Sequence, residues 1–144
     1  MEQPKKRKYL IATHGTFSTG VKSSLNMIIG DTENLYIIEA YVDDKVNIED
    51  QIKLVLDEIS NEDELIIFSD IMGGSVTNQL LQQVLKSNAH IVSGFNLPLL
   101  IEIMLADAET PIAEVIDDAI INAKEQMVYV NKLINSNNGE DQDD

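Results

Sequence analysis

The sequence predicts an α/β fold: a small, doubly wound, mostly parallel sheet of about five strands with helices on both faces. Short apolar segments alternate along the chain with longer segments whose apolar residues recur at helical spacing. Glycine-containing loops follow the first and the third of the short segments. The 144 residues, with a mass of 16.0 kDa, are enough for one domain with a single core.

Two strand and helix pairs are predicted in the N-terminal half. Residues 8–13 (KYLIAT) form an apolar run too short for a helix and predict a strand, which the loop of residues 14–20 (HGTFSTG) follows. The basic residues 5–8 are interpreted as a solvated arm. Residues 35–41 (LYIIEAY), rich in β-branched and aromatic side chains, predict the second strand. A helix is predicted after each of these strands, because apolar residues recur there at helical spacing. They are Val21, Leu25, Ile28 and Ile29 after the first strand, and Ile48, Ile52, Val55, Leu56 and Ile59 after the second.

Two further strands and three helices are predicted after these. Residues 64–69 (ELIIFS) predict the third strand, which ends on Asp70, and a glycine loop leads from it into a helix. Residues 89–93 (AHIVS) predict the fourth strand, with a short helix near residues 97–105. The last long helix is expected to begin near Pro111, because proline suits the first turn of a helix. Right-handed crossovers between these elements predict the flavodoxin-like strand order 2-1-3-4.

The C-terminal segment is expected to add one strand and a tail. Residues 127–134 (MVYVNKLI) are rich in β-forming side chains and predict a fifth strand. Residues 135–144 are polar and acidic, which predicts a disordered tail. The folded domain is therefore expected to span residues 1–134.

The charge of the chain is strongly negative. Ten Lys and Arg residues against 25 Asp and Glu residues give a formal net charge of −15. Residues 139–144 contain four of these acids, so most of the acidity belongs to the domain. Nucleic acid and anionic membrane surfaces are polyanions, and we therefore expect neither as a partner.

Several classes of site and location are excluded by composition. The sequence has no cysteine and two histidines, which excludes a disulfide framework, a thiol nucleophile and a thiolate-bound metal. We expect no metal site and no cofactor. No apolar run approaches the ~20 residues that a bilayer requires, and the N-terminus lacks the apolar stretch of a secretory signal. A cytoplasmic protein is the expectation.

Two candidate catalytic residues follow neighbouring strands of the predicted sheet. In the order 2-1-3-4 the winding reverses between the first and third strands, and ligands of such folds bind beyond the carboxyl ends of those strands. His14 and Asp70 lie just past these two ends. A carboxylate that accepts a hydrogen bond from Nδ1–H would fix the imidazole tautomer and leave Nε2 free to attack. Alternatively, Asp70 caps the helix that follows it.

Candidate phosphate-binding groups lie beside both residues. Thr16 and Ser18 place hydroxyls in the loop after the first strand. Gly73, Gly74 and Ser75 lack bulk where a backbone would approach a ligand, and they precede a helix whose free N–H groups would hold a phosphoryl group. The sequence has neither the GxxxxGK[ST] nor the GxGxxG pattern, so a P-loop or a Rossmann loop is not indicated.

Three motifs together resemble the IIA component of the mannose/fructose/sorbose family of the bacterial phosphoenolpyruvate:sugar phosphotransferase system. They are LIATHGTFSTGVKSSL (residues 10–25), FSDIMGGSVTNQ (residues 68–79) and SGFNLPLLIE (residues 93–102). The resemblance implies that residues 1–134 form a stand-alone IIA domain. It departs from the usual family pattern at Val76, where proline is common.

The resemblance implies a phosphotransferase component whose histidine takes a phosphoryl group from HPr and passes it to a IIB protein, which serves a IIC/IID membrane permease. On this resemblance His14 is the phosphorylated residue, Asp70 orients it, and Gly73, Gly74 and Ser75 bind the phosphate. Members of the family form homodimers, in some cases by exchange of the last strand. Residues 127–134 would be the exchanged segment here.

Three other functions share parts of this pattern. A response-regulator receiver would need an acidic pair after the first strand to hold Mg²⁺, and Thr13 and His14 stand there instead. An FMN-binding flavodoxin-like protein could hold a phosphate in the loop TFSTG, but the sequence has no Trp to stack on a flavin. A IIA-like phosphoryl donor subunit of a dihydroxyacetone kinase would have a similar histidine domain.

Overall fold

The computed structural model describes residues 5–30, 32–84 and 88–142. The strands are β1 (Arg7–His14), β2 (Leu35–Ala40), β3 (Glu64–Ser69) and β4 (His90–Ser93), and the helices are α1 (Phe17–Ile29), α2 (Ile48–Glu58), α3 (Ser75–Val84), α4 (Leu97–Met104), α5 (Ile112–Glu125) and α6 (Val130–Gln142). The strands form one sheet in the order β2-β1-β3-β4, and every neighbouring pair is parallel. The predicted fold class and the order 2-1-3-4 are confirmed.

The two central strands are buried because helices cover both faces of the sheet. Residues 10–12 of β1 and residues 66–68 of β3 are fully buried. On one face, Ile11 and Phe68 pack in a cluster with residues of α1, α4 and α5. On the other, Leu10 and Ile67 pack with residues of α2 and α3. This two-sided burial accounts for the continuous apolar runs of both strands.

The register of the sheet brings three strand ends together. β1 pairs with β3 so that Ala12 is opposite Ser69, and it pairs with β2 so that His14 is opposite Ala40. Because all three strands are parallel, the residues that follow them meet at one edge of the sheet. His14, Asp70 and Tyr41 therefore lie at the edge where the winding of the sheet reverses.

The opposite edge is closed by Arg7. Its side chain is buried, and its Nε donates to Glu64 Oε2 at 3.2 Å. The guanidinium also donates to the carbonyl oxygens of Asp107, Ala108 and Thr110 in the loop between α4 and α5. The prediction of a solvated basic arm is therefore wrong at Arg7, because its planar set of donors is matched by a cluster of acceptors.

The predicted fifth strand is absent from the part of the chain that the structure describes. Met127 to Tyr129 form an irregular connection after α5, and α6 begins at Val130. Every side chain from residue 127 to residue 136 is exposed. β-forming side chains make a strand only beside a hydrogen-bonded neighbour, and within this chain no strand pairs with them. The segment instead satisfies its backbone within a helix, as in the bond from Leu133 N–H to the Tyr129 carbonyl oxygen (3.1 Å).

The C-terminal boundary also differs from the expectation. Composition predicted disorder from residue 135, whereas α6 continues through Gln142. A helix that has formed its first turn extends at little cost, because each added residue contributes a hydrogen bond. Polar composition alone therefore placed the end of the ordered backbone too early.

Candidate functional site

One carboxylate oxygen holds His14 at two points. Asp70 Oδ2 accepts a hydrogen bond from the backbone N–H of His14 at 2.9 Å and lies 2.8 Å from its Nδ1. The other oxygen, Oδ1, accepts from the N–H of Ile71 at 3.0 Å. Because an ionised carboxylate can only accept hydrogen bonds, Nδ1 carries the proton and Nε2 carries the free lone pair. The structure thus brings together the two residues that the sequence predicted as a pair.

The charge state of Asp70 follows from these contacts. Burial by itself would raise the pKa of Asp70, but the hydrogen bonds from the backbone and ring of His14 outweigh it and hold that pKa below its ordinary value of 3.8. The carboxylate is therefore ionised at neutral pH. Because the pKa of Asp70 is lower in the folded state, its ionisation stabilises the fold at pH values above the ordinary pKa. This contribution to stability is lost as the pH falls through the folded-state pKa.

The two nitrogens of the His14 ring have different surroundings. The Asp70 side chain on the Nδ1 side is 11% exposed, whereas the His14 side chain is 41% exposed. On the Nε2 side, Ser75 Oγ lies 3.4 Å away, and the hydroxyl of Tyr41 donates to Ser75 Oγ at 2.8 Å. The Tyr41 ring lies 5.5 Å from the imidazole, tilted by 43°. Nε2 is therefore the accessible nitrogen, and it faces hydroxyl groups.

The glycine loop allows a close approach to the imidazole. Gly73 has a φ of 78°, in the region that favours glycine. A Cβ at Gly74 would lie 3.2 Å from the Ile71 carbonyl oxygen and 3.7 Å from Cε1 of His14. A side chain at Gly74 would therefore crowd the Ile71 carbonyl oxygen and require the loop to shift, while its Cβ would only touch the ring.

The start of α3 lies close to Nε2, since the Ser75 hydroxyl is 3.4 Å from that nitrogen. The first helical bond runs from the N–H of Asn78 to the Gly74 carbonyl oxygen (3.1 Å), so the N–H groups of Ser75, Val76 and Thr77 precede the helical hydrogen-bond pattern. These groups form the positive end of the helix dipole. Val76, which stands where the family pattern has proline, is fully buried, and the helix begins at Ser75 without a proline.

The two hydroxyls predicted from the first loop have different environments. Thr16 is exposed at the N-cap position of α1, and its side chain makes no capping hydrogen bond. Ser18 is fully buried: its Oγ donates to the Ile38 carbonyl oxygen, and its N–H donates to Thr13 Oγ1, both at 2.9 Å. The prediction that Ser18 binds phosphate is therefore corrected, because its hydroxyl proton is already used to tie α1 to β2.

Sequence reasoning missed Tyr41. The residue follows β2, whose last residue is paired with His14, so the strand order did contain a signal for its position. His90, in contrast, lies at the amino end of β4, opposite Ile66 of β3 and away from the site edge.

The described residues contain neither a cluster of metal-binding side chains nor a helix that could span a membrane. In residues 5–30, 32–84 and 88–142, no group of three or more His, Asp or Glu side chains is arranged to hold a metal ion. In the same ranges, no helix has the length and apolar character needed to cross a bilayer.

Comparisons with known proteins agree with the fold and identify the family. Residues 8–120 match the family described as PTS system fructose IIA component. A protein of Bacillus subtilis, the PTS system fructose-specific EIIA component, is 27% identical over 97 residues, a match that spans 66% of each chain and so just under two thirds of that relative's length. The chain belongs to this family of IIA components of the phosphotransferase system.

Solved structures give the same result. A protein from Klebsiella pneumoniae, provisionally described as a phosphoenolpyruvate-dependent sugar phosphotransferase system permease, superposes with a TM-score of 0.86 at 34% identity, covering 93% of this chain and 98% of its own. The PTS IIA protein associated with the fucose utilization operon of Streptococcus pneumoniae has a TM-score of 0.77 at 27% identity, covering 92% and 99%. These matches favour a IIA component over a receiver or a flavin protein.

The correction at Ser18 can be tested by mutation. Ser18→Ala leaves the buried Ile38 carbonyl oxygen without its donor, so we expect the unfolding free energy to fall by about 1 to 3 kcal/mol in urea titrations. Thr16→Ala, at an exposed position, should leave stability unchanged. Unchanged stability in Ser18→Ala, together with impaired phosphate binding, would return Ser18 to the site.

Proposed function

We propose that this protein is a phosphocarrier: His14 Nε2 accepts a phosphoryl group from the phosphohistidine of HPr and transfers it to a histidine of a IIB protein during sugar uptake. The observation that carries the proposal is the Asp70 contact at 2.8 Å, which keeps the proton on Nδ1 and leaves the Nε2 lone pair exposed. Such a carrier acts where HPr and IIB meet, in the cytoplasm. A place in a dihydroxyacetone kinase finds less support, since the matched relatives are components of sugar systems.

The transfer step needs one nucleophile and no outside base. The Nε2 lone pair attacks phosphorus, the bond between phosphorus and the donor nitrogen breaks, and its electron pair returns to the donor ring. The His14 ring keeps its Nδ1 proton and becomes cationic. Asp70, ionised because its pKa is lowered, stabilises this cation through the same hydrogen bond. Transfer to IIB reverses these changes.

The phosphoryl oxygens require donors that replace water. We propose that the N–H groups at the start of α3, the Ser75 hydroxyl and the exposed Thr16 hydroxyl supply them. Ser75 Oγ lies 3.4 Å from Nε2, close enough to hydrogen-bond an oxygen of a phosphoryl group attached to Nε2. The positive end of the helix dipole favours the negative charge that arrives there.

Exposed apolar side chains surround the site and are suited to brief contact with two partners. They lie close in sequence to the ends of β1, β2 and β3. They are Phe17, Tyr41, Val42, Ile71 and Met72, each between 53% and 76% exposed. Apolar residues left open around an accessible histidine indicate a surface that is covered only in a complex. We propose that HPr and IIB bind this surface in turn.

The first prediction concerns the phosphorylated residue. After incubation with phosphoenolpyruvate, enzyme I and HPr, intact-mass analysis should show one added phosphoryl group that is lost in acid, because a phosphorus–nitrogen bond hydrolyses in acid. His14→Ala should show no gain. His90→Ala, which removes the other histidine, is the matched control and should gain one group. A full gain in His14→Ala would contradict the proposal.

The second prediction concerns Asp70. In Asp70→Asn the side-chain amide can donate toward Nδ1, which favours the proton on Nε2 and blocks the nucleophile. The equivalent change in serine proteases lowers kcat by ~10⁴. We expect a smaller loss, roughly 10- to 10³-fold in the rate of phosphoryl uptake by rapid-quench measurement, because the phosphohistidine donor is already activated. Asp57→Asn, at an exposed position of α2, serves as the control, and equal rates in both variants would reduce Asp70 to a capping residue.

We also propose that the protein is a homodimer in which residues 127–134 contribute to the interface. In a single chain this segment exposes six apolar side chains: Met127, Val128, Tyr129, Val130, Leu133 and Ile134, between 52% and 75% exposed. A second copy presents the same surface, and a two-fold axis would bury both sets at once.

The third prediction tests this interface. Light scattering at micromolar concentration should give twice the chain mass of 16.0 kDa for the full-length protein. Leu133→Asp combined with Ile134→Asp should give monomers that still fold and unfold cooperatively, because neither side chain belongs to the core. Removal of residues 136–144 should leave the dimer intact. A full-length mass near 16.0 kDa would overturn the proposal.

A further inference from the structure

Tyr41 has an unusual backbone conformation for a large residue. Its φ is 67°, and among the non-glycine residues that the structure describes it is the one with positive φ. Such a conformation brings Cβ close to the carbonyl oxygen and is unfavourable for a bulky side chain. Residues held this way persist where the surroundings impose it, and they cluster at functional sites. The cost at Tyr41 therefore calls for a compensating role.

The conformation directs the Tyr41 side chain across the site. The residue follows Ala40, whose carbonyl oxygen accepts a hydrogen bond from the N–H of Gly15 at 2.9 Å, so the backbone beneath it is fixed to the loop after β1. The ring lies beside the imidazole of His14, and the hydroxyl reaches Ser75 Oγ at the start of α3. Tyr41 is 55% exposed, so packing in the core does not account for its position.

The bond from Tyr41 determines what Ser75 can do with its own proton. Because the Tyr41 hydroxyl donates to Ser75 Oγ at 2.8 Å, the Ser75 hydroxyl proton turns away from Tyr41 and toward another acceptor. An acceptor within reach is Nε2, at 3.4 Å, whose lone pair is free because the proton is on Nδ1. The three groups form a directed chain of donors from Tyr41 through Ser75 to Nε2.

We propose that Tyr41 is a positioning residue for phosphoryl transfer: it fixes the Ser75 hydroxyl so that its proton points at Nε2 before transfer and at a phosphoryl oxygen after it. The inference rests on the proposed function of His14. Without the Tyr41 hydroxyl, the Ser75 hydroxyl would rotate among its staggered positions, and part of its population would point away from the phosphoryl group. Tyr41 bonds Ser75 and does not touch phosphorus.

Two measurements on four proteins test this role: wild type, Tyr41→Phe, Ser75→Ala and the double variant. In rapid-quench phosphorylation by phospho-HPr, Tyr41→Phe should slow uptake by roughly 2- to 15-fold, the change that corresponds to one neutral hydrogen bond. In the Ser75→Ala background the same change should have no further effect, because the group it positions is gone. Tyr36→Phe, a half-buried tyrosine of β2, should match the wild type.

The second measurement is the ¹⁵N resonance of Nε2 in the unphosphorylated protein. Tyr41→Phe and Ser75→Ala should both move it toward the position of a nitrogen that accepts no hydrogen bond. The positioning role would be overturned if Tyr41→Phe took up phosphate at the wild-type rate. It would also be overturned if the rate loss of the double variant equalled the product of the two single losses. If the wild type itself gains no phosphate on His14, the proposed function fails. The Nε2 resonance tests the hydrogen-bond chain independently: an unmoved resonance in Tyr41→Phe would show that Tyr41 does not position the Ser75 hydroxyl.

Discussion

The site depends on a single oxygen atom, Oδ2 of Asp70, which accepts from both the backbone and the ring of His14. Two bonds to one residue fix the position of the strand end and the rotation of the imidazole together. They are possible because β1 and β3 pair in the register that places Ala12 opposite Ser69. That register is in turn held by strand residues buried on both faces, where a shift by one residue would move each apolar side chain to the opposite face.

The strong negative charge of the chain makes local donors important. A chain with a formal net charge of −15 repels a phosphoryl group, so the proposed acceptor atom needs positive potential at short range. The start of α3 would supply it through backbone N–H groups and the helix dipole. Among the described residues, those in hydrogen-bond or ring contact with the His14 side chain are Asp70, Ser75 and Tyr41, none of them a Lys or Arg. The dipole of α3 comes from its backbone, so it does not weaken when a side chain rotates. This arrangement suits the role proposed for His14, which is to bind a phosphoryl group and then release it.

The central part of this arrangement could be predicted from the sequence, and its details could not. β1 and β3 are short apolar runs because both of their faces are covered, and that pattern leads directly to His14 and Asp70 at their ends. Ser18 was misplaced because a hydroxyl in a loop and a hydroxyl on the inner side of the next helical turn look alike in sequence. Tyr41 was missed because its direction depends on a positive φ that residue type does not predict.

The C-terminal segment shows a different limit of sequence reasoning. Residues 127–134 have the composition of a strand, but strand formation depends on a neighbour, and a single chain does not reveal whether a second copy provides one. In this structure the segment is helical from Val130 and exposed throughout. The secondary structure predicted for this segment was wrong, while its contact with a second copy stays a proposal.

The most direct test of this account is the identity of the nitrogen that carries phosphorus. Long-range ¹H–¹⁵N correlation spectra of the ¹⁵N-labelled protein, recorded before and after phosphorylation, assign both ring nitrogens of His14. We expect a proton on Nδ1 in both states and coupling of ³¹P to Nε2 in the phosphorylated state. A proton on Nε2 before transfer, or ³¹P coupling to Nδ1 after it, would contradict the role assigned to Asp70.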